Sequence, residues 1–265
     1  MIWKSIMIVQ LAVSLVQAWD YGHIDEWKED YFYCNGSQQS PINIDTSNVS
    51  ISILPTIAIN ENPGQYVILN NGDTVMIKSL SRNILIDDGE KETPYIIDQF
   101  HFHWGHNNNN GSEHRINGKQ YPLEMHILAY QSKYETVDIA MHNRDGLLVL
   151  AFLFKNSYKN NKGLQKIVNL FPKITVHGKH YKLPDFNLSN IIPLNIMAYF
   201  QYYAKNLLLV GDDQLRQFLS LPKLGDECEL HFQSDTGNNP SQCLIGPNFR
   251  NVQPINYRYI TANAE

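Results

Sequence analysis

Two histidines in the segment QFHFHWG have the type and spacing to bind one metal ion. His101 and His103 are separated by a single residue, and alternate residues of a β-strand lie on the same face. His126 lies in the later segment YPLEMHILAY, whose apolar residues predict a strand that can pair beside the first. Three neutral imidazoles with an open fourth position form a catalytic zinc site, in which the metal activates a water molecule. We therefore interpret these three histidines as ligands of Zn²⁺.

Two alternatives compete with this interpretation. Each histidine can be a core residue whose ring is satisfied by hydrogen bonds. However, Gln99 and Glu124 lie two residues before His101 and His126, and a metal-binding histidine usually donates its other N–H to such an acceptor. An unrelated β-barrel metalloenzyme, such as a cupin-type oxygenase, would want a carboxylate ligand soon after His103, and residues 105–112 contain none. The zinc interpretation is favoured.

The segments around these histidines predict a mainly β protein. Short apolar or alternating runs, separated by turn signals, predict strands at 65–69, 74–77, 84–86, 99–104, 123–130 and 147–154. The pair Asn71-Gly72 predicts a hairpin between the first two strands. The last run is continuously apolar, which is typical of a buried central strand. Helical spacing favours small helices at 163–171 and from Asp212 or Asp213 to Leu219.

The N-terminus has the pattern of a signal peptide at residues 1–18. Lys4 precedes a short apolar run at 6–16, and small residues precede a cleavage site after Ala18. A membrane anchor is the alternative, but the run is short for a bilayer and no second one follows. We expect a secreted protein whose single domain is 19–265, with no membrane span in the mature chain. The net charge of −5 argues against a nucleic-acid partner. Nothing in the sequence indicates the oligomeric state.

The cysteines and sequons fit secretion. The chain has three cysteines, so that one thiol remains unpaired in an oxidising compartment. Cys228 and Cys243 are close enough in sequence to pair, which leaves Cys34 free. N-x-S/T sequons, which are acceptor sites for N-glycosylation, begin at Asn35, Asn48, Asn110 and Asn187.

Several segments together resemble the α-class carbonic anhydrases over nearly the whole mature chain. They are QSPINID (39–45), LNNG (69–72), QFHFHWG (99–105), SEH (112–114), YPLEMHILAY (121–130), DGLLVLAFLF (145–154), GLQKIV (163–168) and GPNFRNVQPIN (246–256). The resemblance implies one domain with a large, twisted, mostly antiparallel sheet and zinc at the bottom of a cone. The reaction it implies is the reversible hydration of carbon dioxide to bicarbonate by zinc-bound hydroxide.

The resemblance also implies roles for individual residues. The metal ligands are again His101, His103 and His126. Gln99, Glu124 and the backbone of Asn248 would orient the ligands. Leu128, Leu147 and Val149 would line a carbon dioxide pocket. Tyr21 and Asn71 would order water.

The residue after Asn71-Gly72 departs from the family. Fast members have a histidine there that relays protons, and this chain has Asp73. An ordinary aspartate has a pKa of about 3.9 and remains ionised at neutral pH, so it relays protons poorly. Because positioned acid–base groups contribute roughly 10²- to 10⁴-fold in rate, we expect slow turnover. A structural role for Asp73 in the hairpin turn is the alternative.

A larger departure follows the tyrosine-rich segment. The family carries a Ser-Leu-Thr-Thr-Pro-Pro turn and a central strand, whereas here AYFQYYA (198–204) runs directly into KNLLLV (205–210). No threonine occurs between Thr175 and Thr236. The resemblance implies that the lost turn held the hydroxyl that Glu113 would orient, and the cysteine that would pair with Cys34. A skipped exon or an error in the gene model would produce the same join.

Two functions remain after these departures. The first is a secreted zinc carbonic anhydrase with impaired activity. The second is a non-catalytic relative that binds zinc or a partner protein through the same fold. Loss of the threonine turn favours the second, and retention of all three histidines favours the first.

Overall fold

The computed structural model describes Tyr21 and residues 24–30, 32–62, 64–202 and 248–263. Three sequence predictions lie outside these residues: the signal peptide at 1–18, the helix near Asp212 and the pairing of Cys228 with Cys243. Within the described ranges, no helix has the length and apolar character needed to cross a membrane.

Strands dominate the described part of the chain. In order they are β1 (Asn43–Ile44), β2 (Ser50–Ser52), β3 (Ile57–Glu61), β4 (Tyr66–Asn70), β5 (Val75–Ser79), β6 (Ile84–Asp87), β7 (Tyr95–Trp104), β8 (Arg115–Ile116), β9 (Leu123–Gln131), β10 (Leu147–Phe154), β11 (His180–Leu183), β12 (Asn195–Ile196), β13 (Phe200–Tyr202) and β14 (Ile260–Asn263). The helices are short: α1 (Trp27–Asp30), α2 (Val137–Ala140) and α3 (Lys162–Val168). Single 3₁₀ turns lie at Ile24–Glu26, Phe32–Asn35, Thr46–Asn48, Phe171–Lys173 and Leu188–Asn190.

The main sheet is antiparallel and is organised around β7. Nine strands of the described part of the chain belong to it. β9 pairs along one edge of β7, while β6 and β5 share the other edge. β10 extends the sheet beyond β9, and the remaining strands continue from β5 and β6. This architecture confirms the predicted mainly β fold with a large, mostly antiparallel sheet.

The hairpin between β4 and β5 forms where Asn71-Gly72 predicts it. Gly72 has a φ of +95°, a left-handed conformation that glycine adopts without steric cost. The Asn71 side chain stabilises the turn, because its Oδ1 accepts hydrogen bonds from the backbone N–H groups of Asp73 at 3.2 Å and Thr74 at 2.8 Å. The turn therefore fixes the direction in which β5 returns beside β7.

β10 begins and ends at the residues that the apolar run predicts. It pairs with β9 over its whole length, with Leu147 opposite Tyr130 and Phe154 opposite Leu123. A central strand would have a partner on both edges. Among the described residues, β10 has β9 alone as its partner.

The core lies behind the strand that carries His101 and His103. Phe100 and Phe102, which alternate with these histidines, are fully buried. The ring of Phe100 stacks on Phe186 with centroids 5.8 Å apart and meets the edge of Phe102 at 6.2 Å. Buried aromatic rings stabilise a core strongly and hold one another in fixed orientations. The histidine face of β7 is therefore held from behind by rigid packing.

The helix predicted at 163–171 is shorter than its apolar spacing indicates. Asn161 caps α3, because its Oδ1 accepts hydrogen bonds from Gly163 N at 2.8 Å and Leu164 N at 3.0 Å. The helix ends at Val168, and Phe171 falls in a separate 3₁₀ turn with Pro172. Proline favours the first turn of a new helix over the interior of an existing one.

Cys34 is a free, half-buried thiol in the described part of the chain.

Candidate metal centre

The register of β7 and β9 brings the three predicted histidines together. His101 lies directly opposite His126 in this antiparallel pair. His103 lies two residues after His101, and therefore on the same face. The nearer ring nitrogens of His103 and His126, Nε2 and Nδ1, are 3.1 Å apart. One nitrogen from each of the three histidines lies within 4.8 Å of the others.

The opposite nitrogen of each ring meets an acceptor. His101 Nδ1 bonds Gln99 Oε1 at 2.9 Å, and His126 Nε2 bonds Glu124 Oε1 at 2.6 Å. The third acceptor is the backbone carbonyl of Asn248, 2.8 Å from His103 Nδ1. When the outer nitrogen carries the proton, the inner nitrogen has a free lone pair. This donor set fits a divalent metal.

Burial favours the neutral imidazoles of His101 and His103. It lowers the pKa of His101 well below the ordinary 6.5, and the nearby His103 and His126 lower it further. Burial also lowers the pKa of His103, although Glu113 acts in the opposite direction. Metal binding requires the neutral imidazole, so the protein does not have to lose protons from these rings at neutral pH.

Asn248 joins the metal centre to the backbone of β7. Besides the carbonyl contact, its Oδ1 accepts a hydrogen bond from Trp104 N at 2.8 Å, and its Nδ2 donates to Phe102 O at 2.8 Å. Nδ2 is also 3.0 Å from the carbonyl of Asp73 in the hairpin turn. The side chain therefore holds the hairpin against the histidine strand.

Replacing Asn248 with alanine tests this role. The backbone carbonyl stays, but the buried N–H of Trp104 loses its acceptor, which costs about 1–3 kcal/mol. We expect urea denaturation to register that loss and zinc affinity to fall by about 10-fold. The exposed Asn109→Ala serves as a control. Unchanged stability would contradict the assigned role.

His114 and Tyr202 form a buried arrangement that the sequence reasoning did not identify. His114 Nδ1 bonds Glu124 Oε1 at 2.6 Å, its backbone N–H donates to Oε2 at 2.8 Å, and its Nε2 lies 2.7 Å from Tyr202 Oη. Glu124 is therefore hydrogen-bonded to two histidines, His114 and His126. Burial lowers the pKa of His114, but Tyr202 and Glu124 oppose it and raise that pKa to about 10. The segment SEH contains His114, but no spacing relates it to Tyr202.

A second combination, His114, Glu124 and His126, also has potential ligand atoms within 4.8 Å of one another. Here Glu124 Oε1 bonds both rings at 2.6 Å. These atoms satisfy one another through hydrogen bonds. The three histidines first described are therefore the better candidate for a metal.

Other predicted site residues surround the histidines. Tyr21 Oη lies 3.3 Å from His103 Nδ1. Burial raises the pKa of Tyr21 well above 10, and the nearby Glu113 raises it further. Asn71 and Asp73 lie in the hairpin turn, where Asn71 Oδ1 binds backbone N–H groups. This contact gives Asn71 a structural role beside the water-ordering role that the resemblance implies.

The three residues of the predicted carbon dioxide pocket lie on β9 and β10. Leu128 lies opposite Val149 in the strand register and two residues after His126, on the same face. Leu147 is the first residue of β10 and packs against the small cluster that contains Ile96 and Tyr130. All three predicted side chains are half-buried. They form a half-buried apolar surface on the strand pair that carries His126.

The antiparallel sheet presents three histidines, each bonded to an acceptor on its outer side, in an arrangement that could hold a metal ion. The chain belongs to the eukaryotic-type carbonic anhydrase family, whose model matches residues 23–204. The resemblance inferred from the sequence segments is thereby confirmed.

Relatives from several mammals are similar over most of the chain. Human carbonic anhydrase 6 is 30% identical over 262 residues, which cover 94% of this chain and 84% of that protein. Mouse carbonic anhydrase 1 is 32% identical over 194 residues, covering 70% of this chain and 74% of that protein. Pig carbonic anhydrase 3 is 28% identical over 264 residues, covering 92% and 96%.

Proposed function

We propose that this protein binds one zinc ion through His101, His103 and His126 and catalyses the reversible hydration of carbon dioxide to bicarbonate at a low rate. The observation that carries the proposal is the convergence of three inner imidazole nitrogens while each outer nitrogen bonds an acceptor. Zinc, when bound, supplies an activated water, a chemistry for which carbonic anhydrases are themselves the standard example.

The roles of the surrounding residues follow from their positions. Gln99, Glu124 and the carbonyl of Asn248 fix the ring orientations and tautomers, because each accepts the outer N–H. The half-buried Leu128, Leu147 and Val149 offer carbon dioxide an apolar surface next to His126. Tyr21 and Asn71 lie at the hairpin side of the centre and are proposed to order water there.

Two features support a low rate. Asp73 occupies the position of the proton relay, and an ordinary aspartate is ionised at neutral pH. The sequence also lacks a threonine between Thr175 and Thr236, so that the hydroxyl which the family aims at the attacking group has no counterpart there. Glu113, proposed by resemblance to orient that hydroxyl, has no such partner to act on.

The Asp73→His variant distinguishes these two causes. We expect the missing threonine, and not proton relay, to limit the rate. Turnover of Asp73→His in weakly buffered solution should then change by less than about twofold, because proton relay helps only where proton transfer limits the rate. Stopped-flow hydration at low and high imidazole concentration makes the measurement. An increase of tenfold or more, abolished by added imidazole, would contradict this expectation and identify proton transfer as the limiting step.

The decisive experiment combines metal analysis with kinetics. Purified residues 19–265 should contain about one zinc per molecule. Stopped-flow hydration by this protein should exceed that of the His101→Ala variant, which lacks one ligand. Absence of zinc from the wild-type protein would contradict the metal site. Zinc binding with hydration no faster than the variant would contradict the enzymatic part alone.

A non-catalytic zinc-binding module is the second candidate. The missing threonine specifically favours it, because every ligand is retained while a residue of the chemical step is lost. The same experiment separates the two candidates, since a binding module would contain zinc and give no hydration above the control.

We further propose a secreted glycoprotein. Residues 1–18 act as a cleaved signal peptide in this proposal, and 19–265 form one domain. Asn35, Asn48 and Asn187 are exposed, whereas Asn110 is half-buried, which supports modification of the first three. N-terminal sequencing of protein from culture medium and its mobility after N-glycosidase treatment test the proposal. Retention in the cell with an intact Met1 would contradict it.

A further inference from the structure

We propose that Thr74 is a positioning residue of the metal centre, because its hydroxyl holds the two peptide groups that link His101 to His103. This inference rests on the proposed zinc site and deepens it. Thr74 acts through the backbone of β7 and thereby sets the relative direction of the two histidine rings on that strand.

Thr74 lies where the ladder between β5 and β7 has ended. Met76 opposite His101 is the pair of that ladder nearest the hairpin, and Thr74 is two residues closer to the turn. Phe102, the next residue of β7, is fully buried. Buried backbone N–H and C=O groups are nearly always hydrogen-bonded, so the backbone of Phe102 needs partners beyond the last pair of the ladder.

The Thr74 hydroxyl meets both backbone groups of Phe102. It donates to the carbonyl at 2.5 Å and accepts from the N–H at 3.3 Å. A hydroxyl has one proton to donate and lone pairs to accept with, and the carbonyl of Val75 is farther away, at 3.4 Å. Thr74 is 5% exposed, so water has little access to replace its hydroxyl.

These contacts anchor both peptide groups between the two ligands. The N–H of Phe102 belongs to the peptide that joins it to His101, and its carbonyl belongs to the peptide that joins it to His103. Because each peptide is planar, anchoring one atom in each plane limits rotation about the backbone bonds of Phe102. The directions of the two histidine side chains depend on these rotations, and so does the separation of their inner nitrogens.

The hairpin holds Thr74 in place. Its backbone N–H donates to Asn71 Oδ1 at 2.8 Å, and its carbonyl accepts from the backbone N–H of Asn71 at 3.3 Å. Asn248 Nδ2 is a second donor to the carbonyl of Phe102, at 2.8 Å. Removal of the Thr74 hydroxyl therefore leaves that carbonyl with Asn248, while the buried N–H of Phe102 loses the acceptor described here.

Replacement of Thr74 with valine removes the hydroxyl and keeps the branched shape. The mature protein is stripped of metal, and its zinc Kd is measured by competition with a chromophoric chelator. We expect the Kd of Thr74→Val to be about 10-fold weaker, as for other residues that orient ligands. The visible bands of the Co²⁺-loaded protein should also change, because they report the geometry of the ligands. Thr74→Ser retains the hydroxyl and should give the wild-type Kd and spectrum.

Thr136→Val is the matched control. The Thr136 side chain caps α2, where its Oγ1 accepts from Ile139 N at 3.3 Å, so the same replacement removes a hydrogen-bonded hydroxyl outside the metal centre and lowers stability. Both valine variants should therefore unfold at a lower urea concentration than the wild type. Only Thr74→Val should change the zinc Kd and the Co²⁺ spectrum.

Three results would count against the inference. Wild-type values of Kd and spectrum in Thr74→Val would overturn the positioning role and leave the proposed function intact. Changes that Thr74→Ser shares with Thr74→Val would also overturn it, because the hydroxyl would then not be their cause. Wild-type protein that binds neither Zn²⁺ nor Co²⁺ would overturn both proposals. If Thr74→Val does not fold, the same measurements are made on Thr74→Ala, which removes the hydroxyl without the bulk of valine.

Discussion

The His126→Ala variant is expected to lose its zinc. Wild-type protein should retain about one ion per molecule after dialysis against a weak chelator, while the variant should retain only background. The expected loss of affinity exceeds 100-fold, because removal of groups that only orient ligands already costs about 10- to 100-fold. Atomic absorption on dialysed protein, together with chelator competition, provides the measurement.

The position of His126 explains the size of this effect. The His126 ring has contacts on both sides: its Nδ1 lies 3.1 Å from His103 Nε2, and its Nε2 bonds Glu124 Oε1 at 2.6 Å. Its loss removes one donor and leaves the acceptor of the outer hydrogen bond without that partner. His142 is exposed, and His142→Ala controls for the loss of a histidine elsewhere. Equal zinc content in both variants would contradict the metal site.

The His114→Ala variant is expected to lose about 3–5 kcal/mol of the free energy of unfolding, measured by urea denaturation of the zinc-free protein. Glu124 is fully buried, and its carboxylate accepts from both the ring and the backbone of His114. Burial raises the pKa of Glu124, but His114 and His126 outweigh it, and that pKa is lowered well below 4.5. Without the His114 ring, a buried charge loses its principal partner.

The pH dependence of this loss has a defined sign. The folded-state pKa of His114, about 10, lies above the ordinary 6.5, so its contribution is complete below pH 6.5 and is lost gradually as the pH rises through 10. The lowered pKa of Glu124 gives a contribution that is present above 4.5 and is lost as the pH falls. The difference between wild type and variant should therefore be larger at pH 6 than at pH 9.5.

Tyr202→Phe separates the charge effect from the hydrogen bond. This change removes the hydroxyl 2.7 Å from His114 Nε2 but keeps the ring, and we expect it to cost about 1–3 kcal/mol. A loss in His114→Ala no greater than in Tyr202→Phe, or one independent of pH, would contradict the assignment of a buried ion pair.

The strand predictions succeeded where the sequence pattern was uninterrupted along the whole strand. The run at 147–154 is apolar throughout and forms β10 over the same residues. The prediction at 99–104 missed the first four residues of β7, which begins at Tyr95. Asp98 interrupts the apolar residues there, and the pairing with β9 shifts register between Ile97 and Gln99. Alternation cannot identify a strand across such an irregularity.

Strand spacing predicted some contacts of the site and gave no indication of others. The spacing of His101 and His103 indicated a shared face, and the structure brings them to His126. Gln99 and Glu124 bond the rings of His101 and His126, because residues two apart in a strand lie on the same face. His114 lies in a loop and Tyr202 on a strand far along the chain, so no local periodicity indicates that they meet.

The sequence by itself determined which residues share a face, because strand geometry repeats every two residues and side-chain type decides which face is apolar. It therefore determined the pair of histidines on β7 and the strand that carries the third. Only the tertiary structure decided that His126 lies opposite His101 and that Glu124 accepts hydrogen bonds from the rings of both His114 and His126. Those contacts depend on strand register and loop closure between residues far apart in the chain, and burial then gives the charges there their large effects.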